Sequence, residues 1–264
     1  MTGSFMGERV MVIAGVGEGL GRDLALEAAG SSTVLVLLAR RPDVIASLAA
    51  EIEQLGSRAL PIVCDITSAE QCDEAIARSV TAFGHVDTLI NVAHLSEKSG
   101  PVLDTPADFT SWRSIFDVNV FGAMGMLRAA ARQMVEQRSG TIVMINSMAA
   151  ERLRVGRAAY QGSKAALATM SKTAALELAQ YNIRINSLHP GFMAGEPIEK
   201  AFRFWAEQNG TNVEEERAKV LATIPLGYIP PTAEYARVAL FLASDFSAPM
   251  TGQSVHANGG QWLH

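Results

Sequence analysis

The chain has 264 residues, 48% of them hydrophobic and 19% charged, which is enough apolar mass for a sizeable core and excludes a disordered polymer. Lysine and arginine number 22 against 27 acidic residues, a formal net charge of −5. That sign excludes a general polyanion binder, so nucleic acid is not an expected partner. Two cysteines, Cys64 and Cys72, are too few for a disulfide framework or a usual zinc site, and no metal is expected. No apolar run of roughly 18 residues escapes a charge or glycine break. Residues 1–9 carry no basic-then-apolar leader pattern. A cytoplasmic protein without membrane association is the expectation.

In chain order, residues 10–14 read as a strand that ends at Gly15, Gly17, Gly19 and Gly21, and 20–29 as a helix. Residues 33–39 form a continuous apolar strand of the kind covered on both faces. A helix over 44–55 stops at Gly56. A strand over 59–64 precedes a helix over 68–83, with Ser68 placed to cap it and Gly84 at its end. Residues 86–92 read as a strand, and 108–137 as one long helix or two in sequence. Next come a strand at 140–147, a helix at 158–180 and a strand at 183–188. A helical stretch over 196–222 is interrupted by Gly210. A helix over 232–244 and a short strand over 254–257 close the chain. Such alternation predicts a single-domain α/β fold over 1–264. It is a doubly wound parallel sheet with helices on both faces, and residues 192–228 form an excursion from it.

The spacing Gly15-x-x-x-Gly19-Leu20-Gly21, directly after the first strand, suits a dinucleotide pyrophosphate. Glycines let backbone N–H groups approach the phosphates, and the following helix N-terminus adds partial positive charge. At the end of the second strand stand Arg40 and Arg41, with no carboxylate before Asp43. Guanidiniums at this place accommodate a ribose 2′-phosphate, whereas an acidic residue binds the free hydroxyl. This favours NADP(H), with NAD(H) as the alternative and Glu18 arguing against the phosphate.

Tyr160 and Lys164 lie four residues apart, on one face of a helix. A nearby ammonium would lower the phenol pKa, so that Tyr160 exchanges a proton with a substrate oxygen near neutral pH. Ser147, at a strand end, is a candidate hydrogen-bond partner for the same oxygen.

Together these elements resemble the short-chain dehydrogenase/reductase family along essentially the whole chain. Gly15, Gly19 and Gly21 match its glycine motif, with Ala14 in place of the leading Thr. Asp65-Ile66 matches the pair at the adenine ring. Asn91-Val92-Ala93-His94 stands where the family has Asn-Asn-Ala-Gly, and Asn119, Ser147, Tyr160 and Lys164 match the catalytic set. Asn186 and Pro190-Gly191 match the segment beside the nicotinamide.

The resemblance implies a Rossmann-type fold and a nicotinamide-dependent ketone/secondary-alcohol interconversion. Leu20, Asn91, Ala93, Pro190 and Gly191 join Gly15, Gly19, Gly21, Arg40, Arg41, Asp65, Ile66, Tyr160 and Lys164 as expected cofactor contacts. Tyr160 is the implied acid/base, Lys164 its tuner and a ribose ligand, and Ser147 the oxygen-orienting hydroxyl. Asn119 is expected to hold a proton-relay water. The Thr often found after Pro-Gly is Gly195 here, which alters the carboxamide contact. Met148, Leu153, Phe192, Met193, Phe202 and Trp205 are the expected substrate-pocket residues, and their apolar character suits a hydrophobic carbonyl compound. Arg152, Arg154 and Arg157 read as a solvated or interfacial surface, with steering of an acidic group as the alternative.

The family also implies a homotetramer or homodimer through the helices over 109–137 and 158–180. Two other functions stay open. One is a 3-oxoacyl thioester reductase of lipid or polyketide synthesis. The other is a non-catalytic nucleotide-binding protein, against which the intact catalytic set argues.

Overall fold

A computed structural model describes residues 9–29, 33–96 and 100–263; the leader reading of residues 1–9 falls almost wholly outside them. Seven strands form one parallel sheet: β1 (Val10–Ala14), β2 (Val34–Ala39), β3 (Ala59–Val63), β4 (Thr88–Asn91), β5 (Gly140–Ile145), β6 (Ile183–Pro190) and β7 (Ser254–Ala257). Their order is β3-β2-β1-β4-β5-β6-β7. The chain winds outward from β1 in both directions, so a crevice opens above the carboxyl ends of β1 and β4, where Ala14 pairs with Asn91.

Alternation along each strand divides the core. Val10, Val12 and Ala14 face one layer, with α3 (Ala69–Phe83), α5 (Ala123–Gln137) and α6 (Ala158–Leu178). Met11 and Ile13 face the other, with α1 (Leu20–Ala29), α2 (Pro42–Gln54) and α9 (Thr232–Ala243). All five β1 side chains are buried, and each fully buried Val, Leu or Ile contributes roughly 1.5–3 kcal/mol. Among the described residues, no helix is long and apolar enough to cross a membrane.

Helix ends follow local chemistry. The Ser68 hydroxyl accepts from the Gln71 N–H at 3.2 Å, and Gly84 closes α3 in the left-handed region. Helix α2 starts two residues before the expected Val44, because Pro42 occupies its first turn, where its missing N–H costs nothing. The expected long helix over 108–137 is α4 (Thr110–Phe116) and α5, joined by a wider π-helical turn, Asp117–Gly122. Inserted turns of this kind recur at functional sites, and this one carries Asn119.

The stretch over 196–222 is α7 (Glu196–Asn209) and α8 (Val213–Leu221), broken at Gly210 with φ +64°. Ile198, Phe202, Val220 and Ile224 give the pair its own small core. A fork from Arg217 to Glu199, at 2.9 and 2.7 Å, ties the two helices. Glu216 accepts from Lys219 and Thr211 at 2.6 Å and from Asn209 at 3.1 Å. These bonds, led by Lys219, hold its carboxyl down to about 2 from the ordinary 4.5. A depressed carboxyl stabilises the fold above its unfolded pKa and ceases to do so as pH falls through the folded one. Thermal unfolding of the parent and of Glu216→Gln between pH 5 and 2 should therefore show the parent's advantage intact above pH 4.5 and fading toward pH 2. A constant difference would exclude this linkage.

Candidate active site

A cleft of about 670 Å³ runs along the carboxyl edge of the sheet, from the glycine loop to α7. At one end it is lined by Gly15 to Gly21, Arg40, Arg41, Asp65, Ile66 and Ala93, and at the other by Ser147, Tyr160, Lys164, Pro190 and Gly191. Asn91 sits beneath it, 1% exposed, without touching it.

The glycine loop fits a dinucleotide. Gly15 has φ +96°, and a Cβ there would overlap the backbone of Ala93, so two loops converge with no side chain between them. Beside Gly17 and Gly19 a Cβ would meet nothing within 4 Å, which leaves open space over the first turn of α1, where N–H groups and the helix dipole favour phosphate. Asp65 accepts from the Thr67 N–H and hydroxyl at 3.0 and 2.8 Å. The Thr67 backbone bond leads in holding its carboxyl below the usual range. Glu18 lies 3.9 Å from Arg41, so the one carboxylate of the loop is directed at Arg41 and leaves Arg40 beside the cleft.

Four residues converge at the other end. Ser147 ends the run after β5; its hydroxyl accepts from the Ala149 N–H at 3.1 Å, and its own N–H donates to Asn146 Oδ1 at 2.9 Å. Asn146 also donates to the Lys164 carbonyl at 3.1 Å, fastening α6 to β5. The Lys164 ammonium, 2% exposed as a residue, donates to the Ile145 carbonyl at 3.1 Å and lies 5.9 Å from the Tyr160 ring centre. Burial pushes its pKa down to about 8. His94, where the family has Gly, lines the cleft with Nδ1 3.1 Å from the Val92 carbonyl; burial and then Lys164 push its pKa down. His189 is fully buried and rests against His256, ring centres 4.7 Å apart. Gly195, at φ +135°, offers no hydroxyl for a carboxamide.

The phenol corrects the expectation drawn from spacing. Burial pushes the Tyr160 pKa above its ordinary value, and the Ser147 hydrogen bond and the Arg157 charge only partly oppose it. Lys164 donates to Ile145 and is not among the groups that oppose this burial, so spacing alone misjudged the direction. Asn119 stands on the π-helical turn. It is fully buried and outside the cleft lining; its Oδ1 accepts from the Leu95 N–H at 2.7 Å, and Nδ2 donates to the Leu95 carbonyl and Ser163 hydroxyl at 3.0 Å each. With both amide hydrogens used, the side chain latches the loop after β4.

Of the expected pocket residues, Phe192, Met193 and Trp205 line the cleft, and Met148, Leu153 and Phe202 do not. Phe202 is consumed by the α7–α8 core, Leu153 points to solvent with 74% exposure, and Met148 is buried under its own turn. Arg157 and Ser96 line the cleft instead. Arg157 lies within the arginine-rich segment first read as surface, and that density of charge three residues before Tyr160 was the available signal.

A family model described as short chain dehydrogenase matches residues 9–205. The chain belongs to the short-chain dehydrogenase family. It is 31% identical over 252 residues to a 3-oxoacyl-(acyl-carrier-protein) reductase FabG of Thermotoga maritima, covering 96% of this chain and 97% of that one. It is 30% identical over 254 residues to the short-chain reductase protein NovJ of Streptomyces niveus, covering 96% and 94%. Among solved structures, NAD+-bound xylitol dehydrogenase superposes with a TM-score of 0.90 at 32% identity, over 97% of this chain and 99% of that one. A short-chain type dehydrogenase/reductase from Mycobacterium ulcerans gives 0.88 at 28%, over 97% and 90%. The chain is thus a nicotinamide-dependent oxidoreductase that interconverts a ketone and a secondary alcohol.

The Asn119 latch is directly testable. Asn119→Ala leaves the Leu95 N–H and carbonyl without their partner inside the fold, at a cost of about 1–3 kcal/mol. Urea denaturation should show that loss; a variant as stable as the parent would mean that the loop is held elsewhere.

Proposed function

We propose that this enzyme acts as a ketone reductase whose substrate presents its carbonyl to Tyr160 and Ser147 against an apolar wall of Phe192, Met193 and Trp205. The observation that carries this reading is the convergence of Tyr160, Ser147 and Lys164 on one end of the cleft. Tyr160 lies beside Ser147, with the ammonium of Lys164 held beneath by Ile145. The glycine loop, Arg40, Asp65, Ile66, Lys164 and Pro190-Gly191 would hold the cofactor, which supplies the hydride when bound.

The chain's own residues manage the proton and the orientation. The Ser147 hydroxyl donates to the carbonyl oxygen and fixes its position. The Tyr160 phenol, whose proton burial makes harder to lose, donates to the same oxygen as the C–O bond becomes an alkoxide. Lys164 stabilises the phenolate left behind, and Asn119 keeps the adjoining loop in register. Phe192, Met193 and Trp205 exclude water, which strengthens each of these interactions. Tyr160→Phe should lower turnover of a ketone panel by roughly 10²–10⁴-fold while leaving cofactor binding, read by fluorescence titration, intact. Undiminished turnover would remove Tyr160 from its role.

The NADP(H) preference rests on Arg40, which borders the cleft while Arg41 is opposed by Glu18. Arg40→Asp should weaken NADPH by about tenfold or more relative to NADH, as loss of a charge-assisted bond implies; an unchanged ratio would refute the assignment. A 3-oxoacyl thioester is the second substrate reading, favoured by the FabG relatives. Self-association is supported by exposed Phe121 and Leu176, 64% and 82% accessible on the π-helical turn and on α6. Leu263 is 77% exposed, which supports a further contact at the carboxyl end. Free, buried Cys64 and Cys72 support a reducing, cytoplasmic setting.

A further inference from the structure

Arg152, Arg154 and Arg157 occupy alternate or near-alternate positions on the segment entering α6. Among the described residues, every ion pair within 4.0 Å involves other cations. That is unusual in a chain with five more acidic than basic residues. The three are not surface ornaments. The Arg157 guanidinium lies 4.7 Å from the Tyr160 ring centre, donates to the Ser96 hydroxyl at 3.0 Å, and has a buried Nε with no hydrogen-bond partner. The Arg154 guanidinium lies 4.7 Å over Phe192 and is half-buried; burial first, then Arg152 and Arg157, disfavour its charge. Arg152 has a buried Nη1 that is also unpartnered.

Arg157, Ser96, Tyr160 and Phe192 line the same cleft. Arg157 and Tyr160 also border a side pocket of about 150 Å³ with Trp112 and Asp104, and Asp104 makes no ion pair with the arginine. Three cations that form no ion pair among the described residues repel one another, and Arg152 and Arg157 each retain a buried donor without a partner. A guanidinium fork with a free N–H is completed by a planar or tetrahedral oxyanion.

We propose that Arg157 binds an oxyanion of the substrate, so that the ketone carries a carboxylate or phosphate a few bonds from its carbonyl, while Arg154 and Arg152 add attraction. This rests on the reading of Tyr160 as the group that addresses the carbonyl. The apolar wall of Phe192 and Trp205 takes the remainder of an amphipathic molecule.

The test separates the two sources of oxyanion and needs no turnover. Enzyme loaded with oxidised cofactor is titrated calorimetrically with 4-oxopentanoate against its methyl ester, and with dihydroxyacetone phosphate against dihydroxyacetone. The parent should favour the anionic member of at least one pair by about tenfold or more, and the pair that responds names the oxyanion. Arg157→Gln, which removes the charge and keeps an amide donor, should collapse that ratio; Arg157→Lys, which keeps the charge and loses the fork, should fall between. No anion preference in the parent, no binding of either anion, or a ratio unmoved in Arg157→Gln would each overturn the proposal. Turnover of neutral ketones that Tyr160→Phe abolishes would leave the reductase reading standing even then, whereas turnover indifferent to Tyr160→Phe would undo that reading instead.

Discussion

The site depends on one expensive burial: the ammonium of Lys164, nearly inaccessible, with the carbonyl of Ile145 as its one acceptor among the described residues. Removing a charge from water is costly, and the group responds by giving up its proton more readily, at about 8 instead of 10.5. The sign of its effect on folding follows. The folded state disfavours the charged form by about 3 kcal/mol, fully so below pH 8, and the penalty fades as pH rises toward 10.5. The rest of the sheet absorbs this. Five buried residues in β1 and two apolar layers supply a surplus, and Asn146 anchors Lys164 through its backbone so that the cation stays where the chemistry needs it.

Around that cation the cleft is built in two chemically different halves. Under the glycine loop, backbone dominates: Gly15 and Ala93 meet without side chains between them, leaving N–H groups and a helix dipole to face phosphates. Beyond Lys164, side chains dominate, with an apolar wall on one side and Arg157 on the other. Arg157 acts on Tyr160 as well as bordering the cleft, because its charge pulls against the burial that raises the phenol pKa. The helices α7 and α8 close this half, and their own core and the Arg217–Glu199 fork let them pack as a unit.

Much of this was legible in the sequence. Strand–helix alternation, the glycine spacing and the order Asn119, Ser147, Tyr160, Lys164 are local patterns, and a local pattern survives in one dimension. What was not legible depended on three-dimensional competition. The family resemblance put Phe202 in the pocket, yet α8 arrives to cover it. Leu153 is apolar but sits on a turn that projects it outward. The phenol shift had the wrong direction because spacing says which groups are neighbours, not which of them the ammonium bonds to or how much water is left. Asn119 was placed correctly on its helix, but its partners Leu95 and Ser163 lie 24 and 44 residues away in sequence. The arginines are plain in the sequence, but packing alone decides whether a carboxylate answers them.

Lys164 is thus a buried, weakly compensated cation poised beneath the phenol. Its titration tests this most directly. With lysine labelled at Nζ, NMR of the cofactor-free protein, assigned against Lys164→Met, should give a midpoint near 8 for this group. A midpoint at the ordinary lysine value of 10.5 would mean that water or an anion reaches the ammonium, and would contradict the account.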